Sequence, residues 1–398
     1  MGKINLDYAA AAPLDPAVLE AMLPFFVEQY GNPSSSHYLG EKPRQALGEA
    51  RGKVGSLIKS APENIIFTAS ASEANNLAVK GAARANRKKG NHIISSAIEH
   101  FSVLNPLKTL EKEGFATTLL PVDSSGMVST RALEKAITDQ TILVSIQTAN
   151  PEIGTIQPIK ELAYLAKNKG ILFHTDAAAA AGWIPLDVDQ MGIDLLTLSG
   201  DQFYGPKGAA ALYLRRGVRL APLIEGGIQE RGLRAGTENV PAIVGLGEAA
   251  RLANEDLEGR TAKVAAVRDE LKKELIAGIP HLHLNGHPEI RLPQNLNLSV
   301  RFIEGEALLM RLNMAGIFVS SGSSCTSQAL KSSHVLNAIG LPPELAQGSL
   351  LIVPGKESSL EDVPYVVEQF GRVTDLLRKM SPLYHRFLKE EKNNAPVQ

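Results

Sequence analysis

The stretch Ile65-Ile66-Phe67-Thr68-Ala69-Ser70-Ala71-Ser72-Glu73 decides the predicted fold. An apolar run comes first, small hydroxylated residues follow it, and a helical pattern then extends over Glu73–Lys88. Nearly continuous apolar runs are typical of strands that are buried on both faces. A serine in such a turn usually caps the next helix, whereas the free N–H groups at a helix start can also hold a phosphate. The stretch therefore predicts a strand, a turn and a helix.

Similar apolar runs recur along the chain, and helical patterns such as Ser102–Gly114 and Ile159–Lys169 separate several of them. This alternation predicts a mostly parallel sheet that is covered by helices and connected by right-handed crossovers. Ligands of such sheets bind at the carboxyl ends of the strands, so the pattern predicts the site there. The predicted strands are Ile65–Ser70, His92–Ala97, Ala116–Val122, Thr141–Thr148, Ile171–Asp176, Leu195–Gly200 and Ala209–Leu214.

The second part of the chain follows a different pattern. A long, charged, amphipathic stretch over Asp256–Ile276 predicts a helix that leads into a second domain. We expect a large domain of residues 15–255, and a smaller domain of residues 1–14 and 256–398. The tail Lys389–Gln398 is charged and then polar, which predicts a frayed end. Further elements predicted in the smaller domain are the strand Asn295–Val300 and the helices Glu304–Asn313 and Pro364–Lys379.

Composition argues against nucleic-acid-binding, secreted and membrane-spanning proteins. The 398 residues include 41 Lys and Arg against 42 Asp and Glu, with no long basic run, so no nucleic-acid partner is expected. The first residues lack the apolar core of a signal peptide, and no uninterrupted apolar run is long enough for a membrane span. A single cysteine excludes an internal disulfide and favours a reducing compartment. We expect a cytoplasmic protein.

That cysteine, Cys325, lies in the run Ser320-Ser321-Gly322-Ser323-Ser324-Cys325-Thr326-Ser327. A structural thiol usually packs as a small apolar group, and these neighbours are too small and polar to bury one well. Exposure favours thiolate chemistry, and a helix predicted to begin at Ser327 would lower the pKa of the thiol. The alternative is an incidental thiol on a flexible loop. The local sequence leaves both interpretations open.

Other candidate residues follow the predicted strands. His100 comes directly after the second strand, where a lone histidine is more often a packed or surface residue than a catalyst. Asp176 ends the fifth strand in front of an alanine-rich stretch. A carboxylate at that point can pair with a protonated ring nitrogen, as pyridoxal enzymes require. The sixth strand ends in the glycine-rich turn Ser199–Gly208. Taken singly, each of these signals is weak.

The order and spacing of the motifs are specific, because together they resemble the NifS/IscS group of cysteine desulfurases. These are pyridoxal-phosphate (PLP) proteins of the class V aminotransferase fold. The resemblance implies an α/β fold with a mostly parallel seven-stranded sheet in a large domain and a smaller C-terminal α/β domain. It also implies a homodimer and a scaffold partner of the IscU/NifU type. The motifs are Leu6–Ala9, Gly31–Ser35, Phe67–Leu77, Ile98–Leu104, Ala149–Pro158, His174–Ala177, Tyr204–Gly208, Arg231–Asn239, Glu304–Glu306 and Ser320–Ser327.

The chain departs from this family at the residues that handle PLP. The resemblance places Gln202 where the imine-forming lysine stands in Ser-x-His-Lys, and Asp201 where the histidine stands. Pro151 replaces an asparagine and Ala179 a glutamine, both of which contact the ring hydroxyl. Leu351 replaces the arginine that holds the substrate carboxylate, so the main fixed charge for cysteine is missing. So many coordinated losses indicate natural loss of cofactor chemistry rather than one engineered substitution.

Other family positions are kept. The resemblance assigns Asp176 to the pyridine nitrogen, His100 to stacking on the ring, and Ser72 and Ser199 to the phosphate. It assigns Thr237 to the phosphate of the partner subunit across a dimer interface. A hollow for PLP, with Gln202 in its wall, would then hold the cofactor non-covalently at most. Alternatively, these residues now only cap helices and fill the old pocket.

Three hypotheses for function follow. In the first, Cys325 serves iron–sulfur cluster assembly without ordinary PLP catalysis, as a sulfur acceptor or as a ligand of iron in a cluster shared with a scaffold partner. In the second, the protein is a desulfurase or other lyase or transferase that uses non-covalent PLP, with His100 or Asp201 moving protons. In the third, it is a non-catalytic subunit that pairs with an active paralog and lends Thr237 to it.

Overall fold

A computed structural model describes residues 3–10, 12–321 and 333–394. Cys325 and the helix start predicted at Ser327 lie outside the described residues. The described strands are β1 (Ile4–Asn5), β2 (Ile65–Thr68), β3 (His92–Ser96), β4 (Ala116–Leu120), β5 (Thr141–Ser145), β6 (Leu172–Asp176), β7 (Leu195–Ser199), β8 (Ala210–Leu214), β9 (Leu282–Leu284), β10 (Leu296–Val300), β11 (Ile317–Phe318) and β12 (Ser349–Ile352).

Helices connect most of these strands. The described α-helices are α1 (Pro16–Met22), α2 (Pro24–Val27), α3 (Tyr38–Leu57), α4 (Ala71–Ala85), α5 (Phe101–Lys112), α6 (Thr130–Ala136), α7 (Ile159–Asn168), α8 (Val240–Glu255), α9 (Leu257–Gly278), α10 (Gly305–Met314), α11 (His334–Ala338), α12 (Pro343–Gln347), α13 (Val363–Met380) and α14 (Pro382–Asn394).

The largest sheet within the described ranges has seven strands in the order β2-β8-β7-β6-β5-β3-β4. Neighbouring strands are parallel, except that β8 runs antiparallel to both β2 and β7. All seven strands predicted from the apolar runs are therefore confirmed, as is the mostly parallel α/β fold. Several predicted strands extend past the observed ends, because polar residues after the last buried position already belong to the turn.

Burial on both faces explains the continuous apolar runs. In β3, Ile93 belongs to the core cluster that also contains Leu77 of α4 and Val103 of α5. The next residue, Ile94, belongs to a different cluster, which contains Val54 of α3 and Leu246 of α8. Because successive side chains of a strand point to opposite faces, both positions must be apolar.

A smaller α/β unit follows. Its three-stranded antiparallel sheet has the order β12-β10-β9, and β1 pairs in parallel with β11. Side chains of β10, α9 and α13 form its core, among them Leu298, Leu271 and Phe370. Leu6, just after β1, is buried in the same core. The exact boundaries of the two domains stay a prediction.

The prediction of a frayed tail from Lys389 onward is wrong as far as Asn394, because α14 extends to that residue. Aromatic packing at the start of α14 accounts for this. The ring centroids of Tyr384 and Phe387 lie 5.4 and 4.7 Å from that of Phe302. Once its first turns are fixed by such packing, a helix extends cooperatively into polar sequence.

An ion pair with a buried carboxylate joins α3 to the loop before α8. The carboxylate of Glu230 lies 2.6 and 2.8 Å from the two terminal nitrogens of Arg51 and accepts a 2.9 Å hydrogen bond from the Phe67 N–H. Glu230→Ala leaves the Arg51 guanidinium without its partner, and we expect a loss of roughly 3–5 kcal/mol of unfolding free energy. Urea denaturation measures this loss.

The control for this experiment is Lys53→Ala. Lys53 pairs with Glu248 at 2.7 Å, but its side chain is more exposed, so its loss should cost about 1 kcal/mol or less. Equal small losses in the two variants would contradict a structural role for the buried pair.

Candidate functional site

Asp176 forms the floor of the predicted site at the carboxyl end of β6. Its Oδ1 accepts a 2.9 Å hydrogen bond from the Ala178 N–H, and its Oδ2 accepts one of 2.6 Å from Asn75 Nδ2 on α4. Burial raises the pKa of this carboxyl, while these two hydrogen bonds and the nearby His100 act in the opposite direction. The result is a carboxyl group with a fixed orientation at the edge of the sheet.

His100 lies at the N-terminus of α5, which follows β3, two strands along the sheet from β6. Its Nδ1 accepts a 3.1 Å hydrogen bond from the Ser102 N–H and lies 2.7 Å from Ser102 Oγ, while the ring is exposed. Asn75 Nδ2 donates to the same Ser102 hydroxyl at 2.8 Å. The structure thus connects Asp176 and His100 through two residues that were not among those predicted from the sequence. The one available signal was that Asn75 and Ser102 belong to the first turns of helices that follow strands.

The turn that carries Gln202 follows β7. Trp183 Nε1 donates to the Gln202 carbonyl at 2.9 Å, and Tyr204 adopts a left-handed conformation with a φ of 69°. Gly205 passes so close to the start of the turn that an added Cβ would lie 2.8 Å from the Gly200 carbonyl oxygen. The backbone that positions residue 202 is therefore held from both sides.

Gln202, Pro151 and Ala179 line one small cavity, so the structure brings together three of the predicted departures from the family. The cavity volume is about 20 Å³, which is room for a single water molecule. Leu351 is buried beside it, in a cluster that includes Tyr8. The full lining is Tyr8, Ala9, Pro151, Ala179, Trp183, Gln202, Leu292, Gln294, Asn295 and Val353.

The predicted phosphate residues have other partners or face solvent. Ser70 caps α4 by accepting a hydrogen bond from the Glu73 N–H, and Ser72 is exposed in the first turn of that helix. The Ser199 hydroxyl donates to Asp201 Oδ1 at 2.5 Å. Asp201 therefore accepts the hydrogen bond that the Ser199 hydroxyl would donate to a phosphate in the predicted site, and it adds a negative charge there.

Thr237 is exposed and lines a separate cavity of about 120 Å³. Thr68 and Ala69, which precede α4, line the same cavity, as do Arg234 and Glu230. Thr237 is thus placed near the residues that lead into the helix of the predicted phosphate site, and its role toward a partner subunit stays a prediction.

These residues fit a covalently held PLP only in part. Asp176 is an acceptor suited to a protonated ring nitrogen, and His100 is accessible for stacking on a ring. However, the side chain of Gln202 is an amide, which does not form an imine, and Asp201 would repel a phosphate. The donor set therefore does not fit PLP attached to the chain, and we derive no chemical step through that cofactor.

Two further findings concern metals and membranes. Across residues 3–10, 12–321 and 333–394, no group of three or more His, Cys, Asp or Glu side chains is placed to hold a metal ion. The predicted iron–sulfur ligand, Cys325, is not among these residues. None of the described helices has the length and apolar character needed to cross a bilayer.

Two buried carboxyl groups beside the site were not predicted as site residues. Glu99 is fully buried; its Oε1 accepts hydrogen bonds from Ser96 Oγ at 2.6 Å and from the Gln147 N–H at 3.0 Å, and Oε2 has no partner among the described residues. Burial raises the pKa of Glu99 to about 8. Glu152 accepts from Ser333 Oγ at 2.8 Å, and burial raises its pKa to about 7.

These shifts predict how stability depends on pH. An unfolded Glu99 ionises near its ordinary pKa of 4.5, whereas the folded protein keeps the proton to about 8. Between these values the folded state binds more protons, so unfolding free energy should fall as the pH rises, by up to about 1.4 kcal/mol per pH unit for one group. We expect Glu99→Gln to flatten this slope between pH 6.5 and 8, as measured by urea unfolding at each pH.

Glu113→Gln serves as the control for that measurement. Glu113 pairs with Arg84 near the surface, and this pairing lowers its pKa, so it is ionised throughout the window. Its substitution should leave the slope unchanged. A slope in Glu99→Gln as steep as that of the wild type would show that Glu99 is already ionised when folded.

The chain is similar to known proteins over almost its whole length. Residues 4–340 match the family Aminotransferase class-V. The chain is 49% identical over 391 residues to cysteine desulfurase IscS of Clostridium botulinum, with 98% of each chain covered. It is 49% identical over 380 residues to cysteine desulfurase IscS of Methanosarcina thermophila, covering 96% of this chain and 94% of that one.

Solved structures agree with these relatives. A NifS-like protein superposes with a TM-score of 0.89 at 37% identity, covering 94% of this chain and all of the other. SspA in complex with cysteine superposes with a TM-score of 0.79 at 37% identity, covering 90% of this chain and all of that protein.

Proposed function

The chain belongs to the NifS/IscS cysteine desulfurases of the class V aminotransferase family, and from this premise we propose that it handles sulfur for iron–sulfur cluster assembly without lysine-bound PLP. Cys325 is the residue that carries this function. The observation that supports the proposal most directly is the Gln202 side chain, because an amide stands where the family's amine would be needed.

The surroundings of Gln202 support the same conclusion. Its cavity has room for about one water molecule, and Pro151 and Ala179 supply no side-chain hydrogen-bond donor there. Leu351 offers no positive charge for a substrate carboxylate, and Asp201 offers a negative one. Binding free cysteine as a PLP substrate would need cationic and donor groups at these positions.

The chemistry we propose for Cys325 needs no cofactor. The Cys325 thiolate attacks the outer sulfur of a donor persulfide, the new S–S bond forms, and the old one breaks as the donor thiolate leaves. No oxidant is consumed in this exchange, whereas loading from free sulfide would require a two-electron oxidant. Alternatively, the thiolate ligates iron in a cluster for which a scaffold protein supplies the other ligands.

We propose an IscU/NifU-type scaffold as the partner and a homodimer as the cytoplasmic form of the protein. Exposed apolar side chains on and around the first three helices support a protein interface in that region, since such a group of large side chains on a soluble protein often marks one. They are Leu19, Leu23, Phe26, Val27, Tyr30, Tyr38 and Leu39.

The deciding experiment is cluster formation on a purified scaffold with a persulfide donor. The wild-type protein should accelerate cluster formation or sulfur transfer, and Cys325→Ser should not. Equal rates with both proteins would reject the proposal.

A second candidate function is catalysis with non-covalent PLP. The fixed acceptor at Asp176 and the accessible ring of His100 favour it, because both suit a planar pyridine ring. It requires that purified protein takes up PLP and releases a product from an amino acid. Gel filtration with PLP, followed by an absorbance spectrum of the protein fraction, tests uptake directly.

A third candidate is a subunit that completes an active paralog. The exposure of Thr237 beside the 120 Å³ cavity favours it, since a side chain that serves a partner must be accessible. Recovery of only the homodimer when the paralog is co-expressed would count against this role.

A further inference from the structure

We propose that Asn75 and Ser102 are positioning residues that connect Asp176 to His100 and hold His100 as the tautomer with its proton on Nε2. The inference concerns the predicted ligand site at the carboxyl ends of the strands and is independent of Cys325. It depends on the direction of five hydrogen bonds, which the donors and acceptors determine.

The donor and acceptor of each hydrogen bond can be assigned by starting at Asp176. Both of its oxygens act as acceptors, Oδ1 from the Ala178 N–H and Oδ2 from Asn75. An ionised carboxylate can only accept hydrogen bonds, so the group that Asn75 turns toward it is its NH2, at 2.6 Å. The second hydrogen of that NH2 points to Ser102 Oγ at 2.8 Å, so this hydroxyl is an acceptor toward Asn75.

The direction continues to the imidazole. Because Ser102 Oγ accepts from Asn75, its own hydrogen is available for His100 Nδ1 at 2.7 Å. The Ser102 backbone N–H, which can only donate, points to the same nitrogen at 3.1 Å. An Nδ1 that receives two donors carries no proton, so the proton of the neutral ring is on Nε2.

Burial keeps this arrangement in place. Asn75 is fully buried and Ser102 is 8% exposed, so water competes little for their hydrogen bonds. The other amide atom, Asn75 Oδ1, is buried and has no partner within the described part of the chain. An orphaned acceptor is unfavourable, which indicates that Asp176 and Ser102 together determine the orientation of the amide.

The consequence is a defined role for His100. Its exposed Nε2–H is a hydrogen-bond donor toward a bound ligand, and the nitrogen does not act as a base while this proton is present. The chain of hydrogen bonds does not pass protons from Asp176 either, because an amide NH2 such as that of Asn75 does not give up a proton near neutral pH. Asn75 and Ser102 therefore orient the two groups without transferring a proton between them.

The test is nuclear magnetic resonance of protein labelled with ring-¹⁵N histidine. Long-range ¹H–¹⁵N correlations distinguish the two tautomers, and His100→Gln assigns the signals among the nine histidines. In the wild type we expect an unprotonated, hydrogen-bonded Nδ1 and a protonated Nε2 for His100. A protonated Nδ1 would overturn the proposal, and this measurement needs no variant other than the one used for assignment.

Variants then test the connection. Asp176→Asn should shift the His100 Nδ1 signal in the wild-type background and shift it less in a Ser102→Ala background, where only the direct electrostatic effect of the carboxylate remains. Ser102→Thr, which keeps the hydroxyl, should restore the full shift. Asp201→Asn is the matched control, since it neutralises a carboxylate of the predicted site that lies outside the chain of hydrogen bonds. An equal shift from Asp176→Asn with and without the Ser102 hydroxyl would refute the connection. Because the protein is studied without a ligand, failure here leaves the sulfur-transfer proposal intact.

Discussion

Replacement of Cys325 by serine is expected to reduce scaffold-dependent cluster formation at least tenfold, to the rate seen with scaffold alone. The reason is that Cys325 is the only thiol in the chain, so no second side chain can carry a persulfide or supply a thiolate ligand. Absorbance of the assembling cluster gives the rate. Mass spectrometry of the wild type after exposure to a persulfide donor should show the gain of one sulfur atom, and the variant should show none.

Ser324→Ala provides the matched control for this substitution. It removes a neighbouring hydroxyl and keeps the thiol, so both sulfur uptake and cluster formation should persist. If Cys325→Ser retained the wild-type rate while Ser324→Ala behaved identically, the thiol would be incidental.

Replacement of Gln202 by lysine is expected to create covalent PLP binding where the wild type has none. The substitution places an amine in the turn that Trp183 and Gly205 hold in position, directly after β7, the strand next to the one that ends in Asp176. After incubation with equimolar PLP and reduction by borohydride, mass spectrometry should find a pyridoxyl group on residue 202 in a larger fraction of variant chains than at any residue of the wild type. Exposed lysines of either protein react with PLP at random, so no single residue of the wild type should be modified in most chains.

Lys207 supplies the control for the Gln202→Lys substitution. It is exposed in the same glycine-rich turn and is the nearest lysine to Gln202 in the sequence. A Gln202→Lys/Lys207→Gln double variant should still be modified. A pyridoxyl group on Lys207 in most chains of the wild type would show that another amine replaces the missing one, and the proposal of a protein without attached PLP would fail.

Desulfurase activity should not return with the lysine alone. Leu351 still supplies no guanidinium for a carboxylate, and Asp201 still places a negative charge beside Ser199. We expect sulfide release from cysteine only when Leu351→Arg and Asp201→His accompany Gln202→Lys. Sulfide release by Gln202→Lys alone would mean that these two positions are not needed for substrate binding.

The fold was predictable because most strands of the seven-stranded sheet are buried on both faces. Every position of a strand such as Ile65–Thr68 is buried, so the number and order of these strands in the chain can be recognised without coordinates. The tail was not predictable in the same way. The residues after Lys389 are polar, and α14 depends on contacts of Tyr384 and Phe387 with Phe302, which is distant in sequence.

The candidate site was likewise predictable from the sequence only in part. The identity of the candidate side chains, Gln202, Asp201 and Cys325 above all, is determined by the sequence itself, since an amide, a carboxylate or a thiol has its properties before folding. Their positions in the family pattern are the basis for proposing the loss of a lysine-bound cofactor.

Only the tertiary structure decided how these groups meet. It places Pro151, Ala179 and Gln202 around one cavity, turns the Ser199 hydroxyl toward Asp201, and links Asp176 to His100 through Asn75 and Ser102. Hydrogen bonds have a direction and a range of about 3 Å, and burial sets the pKa of a carboxyl such as that of Glu99. Both depend on neighbours that come from distant parts of the chain, and folding alone brings those neighbours together.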